Sequence, residues 1–355
     1  MMEIKVVKTE APKAKYDPAK VPFGTSFTDH MFLMEYDEEQ GWHDARIEPY
    51  HNLNLDPGTM VFHYAGEIFE GLKAYRAPDG SVQMFRPQEN FARMNRSAER
   101  LCLPQFDEAL ALEGLKQLVA LDADWVPSVE GQSLYIRPVM IGTDIDIALH
   151  GIHKALFYII TCPVSAYYSS GLQPVELLIE MEDVRAVRGG TGFTKCGGNY
   201  AAATRAGERA AAKGYSQVLW VDGVERKYVE EGGGMNVMFV MDGKLVTPEL
   251  NGSILPGITR KSILEMARSW GMEVEERKVS VEELWEGCKS GTVQEAFMCG
   301  TAAVVTPIGG FAKDGETVLV NGKTVGEVTR RVYENLTGIQ WGKVEDPFGW
   351  MVKVK

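Results

Sequence analysis

The 355-residue sequence is short of what several protein classes require. It has five cysteines, Cys102, Cys162, Cys196, Cys288 and Cys299, widely spaced and without a Cys-x-x-Cys pair. That disfavours a disulfide framework and a zinc site and fits a reducing compartment. The longest apolar run, near Ala155–Ile160, falls far below the roughly 20 residues of a membrane span. Positive charge is scarce: 37 Lys+Arg against 49 Asp+Glu leave a net charge of −12, which argues against nucleic acid or anionic membrane as a partner. No Gly-x-Gly-x-x-Gly, no phosphate loop with Gly-Lys-Ser/Thr and no Gly-x-Ser-x-Gly elbow occurs, so dinucleotide, nucleoside-triphosphatase and serine-hydrolase readings lose their main support. The first 20 residues carry five lysines but no arginine and no apolar stretch, so neither a secretory signal nor a transit peptide is expected, and the expected location is cytoplasmic.

What is present is the composition of a globular chain, 45% apolar and 24% charged, long enough for about two domains. Residues 1–25 read as a polar, loosely held arm. Strand-like text follows at His51–Leu55 and Thr59–Tyr64, around an Asp56-Pro57-Gly58 turn, and a hairpin is expected between Lys73–Arg76 and Ser81–Phe85. Phe91, Met94, Ala98 and Leu101 repeat at three and four, which predicts a helix over 88–101; a second covers 107–122. Strands are expected at Ser133–Ile141 and Ala155–Cys162. Pro163–Pro174 has linker composition. The expected organisation is an α+β N-terminal domain, 1–163, a connecting loop, 164–175, and a larger α/β domain, 176–355. In the second half, helices are expected at Tyr200–Lys213, Ile258–Trp270 and from a Ser280/Glu283 capping box to Lys289. Strands are expected at Gln217–Val221, Met235–Met241, Glu273–Val279 and Gln294–Val305.

Five segments could carry chemistry. Gly189–Tyr200 sets one lysine, Lys195, among glycines that permit close backbone approach, and a lysine in a tight place can serve as nucleophile or base. Leu255-Pro256-Gly257-Ile258-Thr259-Arg260 runs a turn into a helix start, whose exposed N–H groups suit phosphate. Gly300-Thr301-Ala302-Ala303 offers amides at a strand end. Glu231, before a glycine turn, could pair with a cationic ring nitrogen. Arg93, Arg96 and Arg100 form an arginine face, for which a solvated helix surface is the usual explanation. His150-x-x-His153 near Asp144 and Asp146 has a metal-like composition, but its spacing is loose; a surface cluster, and no metal, is expected. Taken singly, most of these segments have ordinary structural explanations. Jointly, a lysine, two anion cradles, an arginine and a lone glutamate are the parts that pyridoxal phosphate requires.

At these residues the chain resembles the branched-chain amino acid aminotransferases, pyridoxal-phosphate enzymes of fold type IV. The matching stretches are Phe23-Gly24-Thr25, Phe27-Thr28-Asp29-His30-Met31, Phe69-Glu70-Gly71-Leu72-Lys73-Ala74, Tyr135-Ile136-Arg137-Pro138, Lys195-x-Gly-Gly-Asn-Tyr200 and Leu255–Arg260. The resemblance implies a two-domain architecture of mixed α/β and α+β type, with the Schiff-base lysine, Lys195, in the larger domain. It implies that Tyr200 bonds the cofactor's phenolic oxygen and Glu231 its pyridine nitrogen. Arg93, the amides of Ile258 and Thr259, and Thr301 would hold its phosphate. Thr301 and Ala302 would receive the substrate α-carboxylate, and Phe69, Tyr64 and Tyr167 would wall an apolar pocket. Tyr135 and Arg137 would orient the substrate and accept the second carboxylate of glutamate. It implies a homodimer that moves the amino group of L-leucine, L-isoleucine or L-valine to 2-oxoglutarate. Ala303 and Thr306 stand where mammalian members carry a redox Cys-x-x-Cys, and Gly234 where they carry threonine. Two alternatives stay open: another fold type IV enzyme (a D-amino acid aminotransferase or aminodeoxychorismate lyase) and a non-enzymatic binder of phosphorylated small molecules.

Overall fold

The structure, a computed structural model, describes residues 2–21, 24–165 and 171–354. The chain divides into two compact units, Met1–Tyr167 with Thr194–Gly197 and Gly338–Lys355, and Tyr168–Phe193 with Gly198–Thr337. The expected split near residue 164 and this division differ in two places. The Lys195 segment and the C-terminal tail both belong by contact to the first unit. The connecting loop expected at 164–175 falls partly outside the described residues.

The first unit contains β1 (Lys5–Val6), β2 (His30–Asp37), β3 (Gly41–Pro49), α1 (Val61–Tyr64), β4 (Glu67–Phe69), β5 (Leu72–Arg76), β6 (Val82–Phe85), α2 (Pro87–Arg100), α3 (Glu108–Leu121), β7 (Ser133–Gly142) and β8 (Lys154–Val164). Its strands form one sheet in the order β1-β3-β2-β8-β7-β5-β6, extended by Met351–Lys353, with β4 on β7. The period-2 alternation of β2 sends Phe32 and Met34 to one face and Met31 and Leu33 to the other. The first face is covered by α2 and α3 through Phe91, Met94, Ala98, Leu115 and Leu118, all fully buried. Truncating a side chain such as Phe91 to alanine costs about 3–5 kcal/mol. α2 starts at Pro87, whose fixed φ suits a first helical position, and α3 is capped by Asp107, which accepts from the amides of Ala109 (2.9 Å) and Leu110 (3.4 Å). The second face carries the half-buried Phe69.

Three expectations for this half differ from the structure. His51–Leu55 forms no strand, and Thr59–Tyr64 contains the single-turn α1 instead. Thr59 bonds back to the carbonyl of Asp56 through both its amide (2.9 Å) and its hydroxyl (2.6 Å), and Ala65 in the left-handed region ends the turn. The N-terminal arm is anchored rather than loose. β1 pairs with β3, Thr9 N–H donates to His30 Nε2 (2.9 Å), and Lys13 donates to the carbonyls of Phe27 and Thr28.

The second unit contains β9 (Val175–Glu180), α4 (Gly197–Ala212), β10 (Gln217–Val221), β11 (Val229–Gly232), β12 (Met235–Met241), β13 (Lys244–Thr247), α5 (Ile258–Ser269), β14 (Val274–Glu276), α6 (Val281–Ser290), β15 (Val293–Gly300), β16 (Val304–Lys313), β17 (Glu316–Leu319) and α7 (Glu327–Gln340), whose last residues pass into the first unit. Strand order is β11-β10-β9-β16-β15-β12-β13-β14, with β17 on β16. Because β11 also pairs with β12, the strands from β11 round to β12 close into a ring filled by Leu177, Leu219, Phe239, Met298 and Phe311. The sheet is mixed: β9 runs parallel to β10 and β16, while β11, β12, β15 and β16 pair antiparallel. The strand expected over Gln294–Val305 is two, β15 and β16, with the Gly300–Ala303 segment as their turn. Half of the expected capping box forms: Glu283 N–H donates to Ser280 Oγ (3.0 Å), but the Glu283 carboxylate turns to Arg277.

Candidate active site

The first unit builds one cluster around Lys195. Its backbone is fixed at both ends: Lys195 N–H donates to Ser97 Oγ on α2 (3.1 Å), and Phe69 N–H at the end of β4 donates to the Lys195 carbonyl (2.9 Å). The ammonium then lies 5.0 Å from the Phe69 ring centroid. The next residue, Cys196, anchors the segment in the core. Beside it, β7 supplies Tyr135 and Arg137, two residues apart and therefore on one face. Arg137 Nη2 donates to Tyr135 Oη (2.8 Å), and its guanidinium stacks over Phe69 at 4.7 Å. Gly71 is required here, because a Cβ at that position would sit 2.3 Å from Tyr135 Oη.

Arg93 is not on a solvated face. It is 4% exposed, whereas Arg96 and Arg100 on the same helix are in solvent. Its Nε and Nη2 donate to the two oxygens of Glu70, each at 2.8 Å, in a bidentate pair. Glu70 is fully buried and also accepts from Asn90 Nδ2 (2.8 Å) and from Gly71 N–H (3.2 Å). Burial would raise its pKa. The Arg93 pairing, with Lys195 and Asn90, outweighs that and holds the carboxyl below its ordinary range. Lys73, one strand position from Ala74, is buried, and burial lowers its pKa to about 8. Tyr64 is not part of this cluster: it is 42% exposed, and its hydroxyl donates to the carbonyl of Ile147. Tyr167 lies outside the described residues.

The second unit gathers the acid and the anion cradles at one end of its sheet. Strand register places Glu231 opposite Asn236 and Asn236 opposite Cys299, so Glu231 and the Gly300–Ala302 turn share that end. Glu231 is 3% exposed. Its Oε1 accepts from Leu255 N–H (2.8 Å), and its Oε2 lies 3.0 Å from Arg185 Nε, a charge contact without hydrogen-bond alignment. Arg185 is held in turn by the carbonyls of Ser253 and Gly192. Asn236 Nδ2 donates to the Leu255 carbonyl (2.9 Å), which ties the acid's strand to the segment entering α5. Gly257 precedes that helix, and a Cβ there would sit 2.0 Å from Asn236 Oδ1. No side chain caps α5, so the amides of Ile258 and Thr259, both in buried residues, head the helix without an intrahelical acceptor. Thr301 and Ala302 occupy the β15–β16 turn. The turn ends in Val304 at φ +63°, a left-handed conformation that is strained for a β-branched residue. Tyr200, on α4, stands beside the glycine turn after Glu231: a Cβ on Gly234 would lie 4.0 Å from its ring.

A model of the amino-transferase class IV family matches residues 67–310. The chain belongs to that family. It is 49% identical over 351 residues to the branched-chain-amino-acid aminotransferase 2 of Bacillus subtilis (strain 168), covering 99% of this chain and 97% of that protein. Among solved structures it is similar to the branched-chain amino acid aminotransferase of Escherichia coli, with a TM-score of 0.76, 26% identity, and 91% and 99% of the two chains covered. It is also similar to the branched-chain aminotransferase of the archaeon Thermoproteus uzoniensis with norvaline, with a TM-score of 0.75, 26% identity, and 92% and 100% covered. The fold is thus a fold type IV aminotransferase architecture of mixed α and β content.

Within this class IV fold, two residues take parts that sequence reasoning did not assign. Glu70 was visible only as a letter in a motif, and Arg185 carried no local signal at all. A buried arginine needs a buried acid, so Glu70 could have been sought once Arg93 was placed inside. Arg185 could not, because its partner Glu231 is distant in sequence. Among the described residues no helix is long and apolar enough to cross a membrane.

Proposed function

We propose that this chain is a branched-chain-amino-acid aminotransferase that moves the amino group of L-leucine, L-isoleucine or L-valine to 2-oxoglutarate, with pyridoxal 5'-phosphate as cofactor. The observation that carries the reading is the Lys195 cluster: a lysine fixed at both backbone ends against an aromatic wall, with one guanidinium, Arg137, tied beside it. The residues fit the cofactor. The amides of Ile258 and Thr259 head α5 without a side-chain cap, which suits an anion, and Glu231 is a buried acid whose geometry Leu255 and Arg185 already fix.

When bound, pyridoxal phosphate supplies an aldehyde for amine exchange and a ring that takes up electrons as the substrate Cα–H bond breaks. Lys195 Nζ would hold the cofactor through its amine and, as a free amine, would take the proton from the substrate Cα. Glu231 keeps a proton on the pyridine nitrogen. Tyr200 bonds the phenolic oxygen. Arg93, aimed by Glu70, would hold the phosphate, the role also given to Thr301 and the α5 amides. Thr301 and Ala302 receive the α-carboxylate. Phe69 provides the apolar wall that accepts a branched side chain, and Tyr135 with Arg137 accepts the second carboxylate of glutamate at the rim of that wall. The same residues would serve the reverse half-reaction on 2-oxoglutarate.

We also infer a homodimer that works in the cytoplasm. Ile145, Ile147 and Leu149 are 69%, 68% and 78% exposed, next to Phe62 and Tyr64, an apolar patch that a second copy would cover. Tyr64 would act there, lining the partner's pocket. The test of activity is a panel of L-branched, D- and aromatic amino acids with 2-oxoglutarate. Glutamate from L-leucine, L-isoleucine and L-valine is expected; turnover of D-alanine in their place would overturn the reading. Sedimentation tests the dimer, which Leu149→Asp should weaken; a wild-type monomer would contradict it.

A further inference from the structure

The loop between β7 and β8 brings together three groups that the sequence spacing left apart. Asp144, His150 and His153 each place one ligand atom within 4.8 Å of the others. His150 and His153 lie ring over ring, with centroids 4.8 Å apart and planes 11° from parallel. His150 Nδ1 is 2.6 Å from the Gly151 carbonyl, so that nitrogen carries the proton and Nε2 is left as the base. His150 Nε2 lies 3.5 Å from Asp146 Oδ2, and His153 Nδ1 lies 3.9 Å from Asp144 Oδ1.

Those two separations are too long for good hydrogen bonds. They are close to the spacing of about 3.4 Å between two ligands that share a tetrahedral cation at about 2.0–2.1 Å. Asp144 is built for such a role. It is 7% exposed, and its Oδ2 accepts from the amides of His153 and Lys154, each at 3.1 Å, which leaves Oδ1 turned toward His153. A backbone carbonyl that fixes the protonated nitrogen of one imidazole is the usual outer support of a metal-binding histidine. The loop itself is pinned, by Met60 N–H on the Asp144 carbonyl (2.8 Å) and by Ile152 N–H on the Cys102 carbonyl (3.1 Å).

We propose that Asp144, His150 and His153 form a binding site for one divalent transition-metal cation per chain, of the zinc class, with Asp146 beside His150. One carboxylate and two imidazoles supply three ligand atoms, and the Asp146 carboxylate beside His150 adds a second negative charge near the ion. Two nitrogen ligands disfavour calcium and magnesium, and no thiolate stands in the set to select a softer ion. The bound ion would stiffen the loop that presents Ile145, Ile147 and Leu149.

The test is a zinc titration of the untagged holoenzyme by calorimetry, on a Cys102→Ser background so that the exposed thiol contributes no site. Cobalt(II) is the spectroscopic probe. One equivalent of zinc per chain is expected, with a tetrahedral cobalt band in the visible and slowed hydrogen exchange over residues 144–153. His150→Gln and His153→Gln, made singly, should each weaken binding by about tenfold or more, and together by about 100-fold or more. The single variants keep the test valid if the double one fails to fold. No zinc uptake by the wild-type chain, or uptake unchanged in both single variants, overturns the proposal.

Discussion

Replacing Glu70 with glutamine removes one charge from a pair that solvent does not reach. Glu70 is 0% exposed and Arg93 is 4% exposed, and two 2.8 Å bonds join them. Breaking a buried pair from one side costs about 3–5 kcal/mol, because the remaining charge stays desolvated. For a unit of this size that is a fall of about 6–20 °C in the melting temperature of the first unit. Arg93 also loses its aim, and one charge-assisted phosphate contact is worth about 1.5–3 kcal/mol, so cofactor affinity should drop by about 10- to 150-fold. The pH dependence has a defined sign. The folded pKa of Glu70 lies below its unfolded value, so the stability it gives is fully present above about pH 4.5. That stability is lost as pH falls through the folded value. The gap between wild type and Glu70→Gln should therefore be constant from pH 5 upward and shrink in acid. Differential unfolding in urea, followed from about pH 3 to 7, measures it, and Glu70→Gln/Arg93→Met should lose less than the two single variants summed. A variant within about 1 kcal/mol of wild type at pH 7, with unchanged cofactor affinity, would refute the reasoning.

Three other outcomes follow from named contacts. Tyr135→Phe removes the hydroxyl that takes the Arg137 bond, so KM for 2-oxoglutarate should rise about tenfold while the half-reaction with L-leucine changes less; equal effects on both would count against Arg137 as the carboxylate receptor. Burial pushes the thiols of Cys162 up to about 11 and of Cys288 and Cys299 up to about 12, and Cys196 is buried, so Cys102 alone should react with a thiol reagent in the native protein, as mass mapping would show. Lys73 titrates near 8 through burial, below its unfolded value, so wild-type stability should rise between about pH 8 and 10 by up to about 3 kcal/mol, and Lys73→Met should abolish that rise in pH-dependent melts.

Much of the fold was legible where period and end signals agreed. The stripe Phe91, Met94, Ala98 marked α2 to within a residue, and the hairpin expected between Lys73–Arg76 and Ser81–Phe85 is the β5–β6 pair. The failures share a cause: a local pattern admitted two structures and distant partners chose. Thr59–Tyr64 reads like a strand, but only Met60 N–H reaches a distant carbonyl, that of Asp144; the amides of Phe62, His63 and Tyr64 bond back to Thr59 and Met60, so one helical turn forms. The apolar text from Gln294 to Val305 hides a reversal, because Gly300-Thr301-Ala302 is a turn held in a strained left-handed Val304. The arginine face was misjudged in burial: Arg93 is buried along with Asn90 and Ser97, while Arg96 and Arg100 on the same helix are exposed. At the site, residue types and spacing pointed to Lys195, Glu231 and the α5 entrance. Their positioning partners, Glu70 and Arg185, became visible only through contact. The His150-His153 loop shows the same limit, since a loose spacing in sequence becomes a compact cluster once the loop is pinned at its ends.

The central claim is that Lys195 carries the amine chemistry, and borohydride reduction of the cofactor-loaded protein followed by peptide mapping tests it most directly. The account expects the phosphopyridoxyl group on the peptide containing Lys195 and on no other, with both label and transamination lost in Lys195→Ala. Label on Lys73, a buried lysine of the first unit, with Lys195 unmodified, would contradict it.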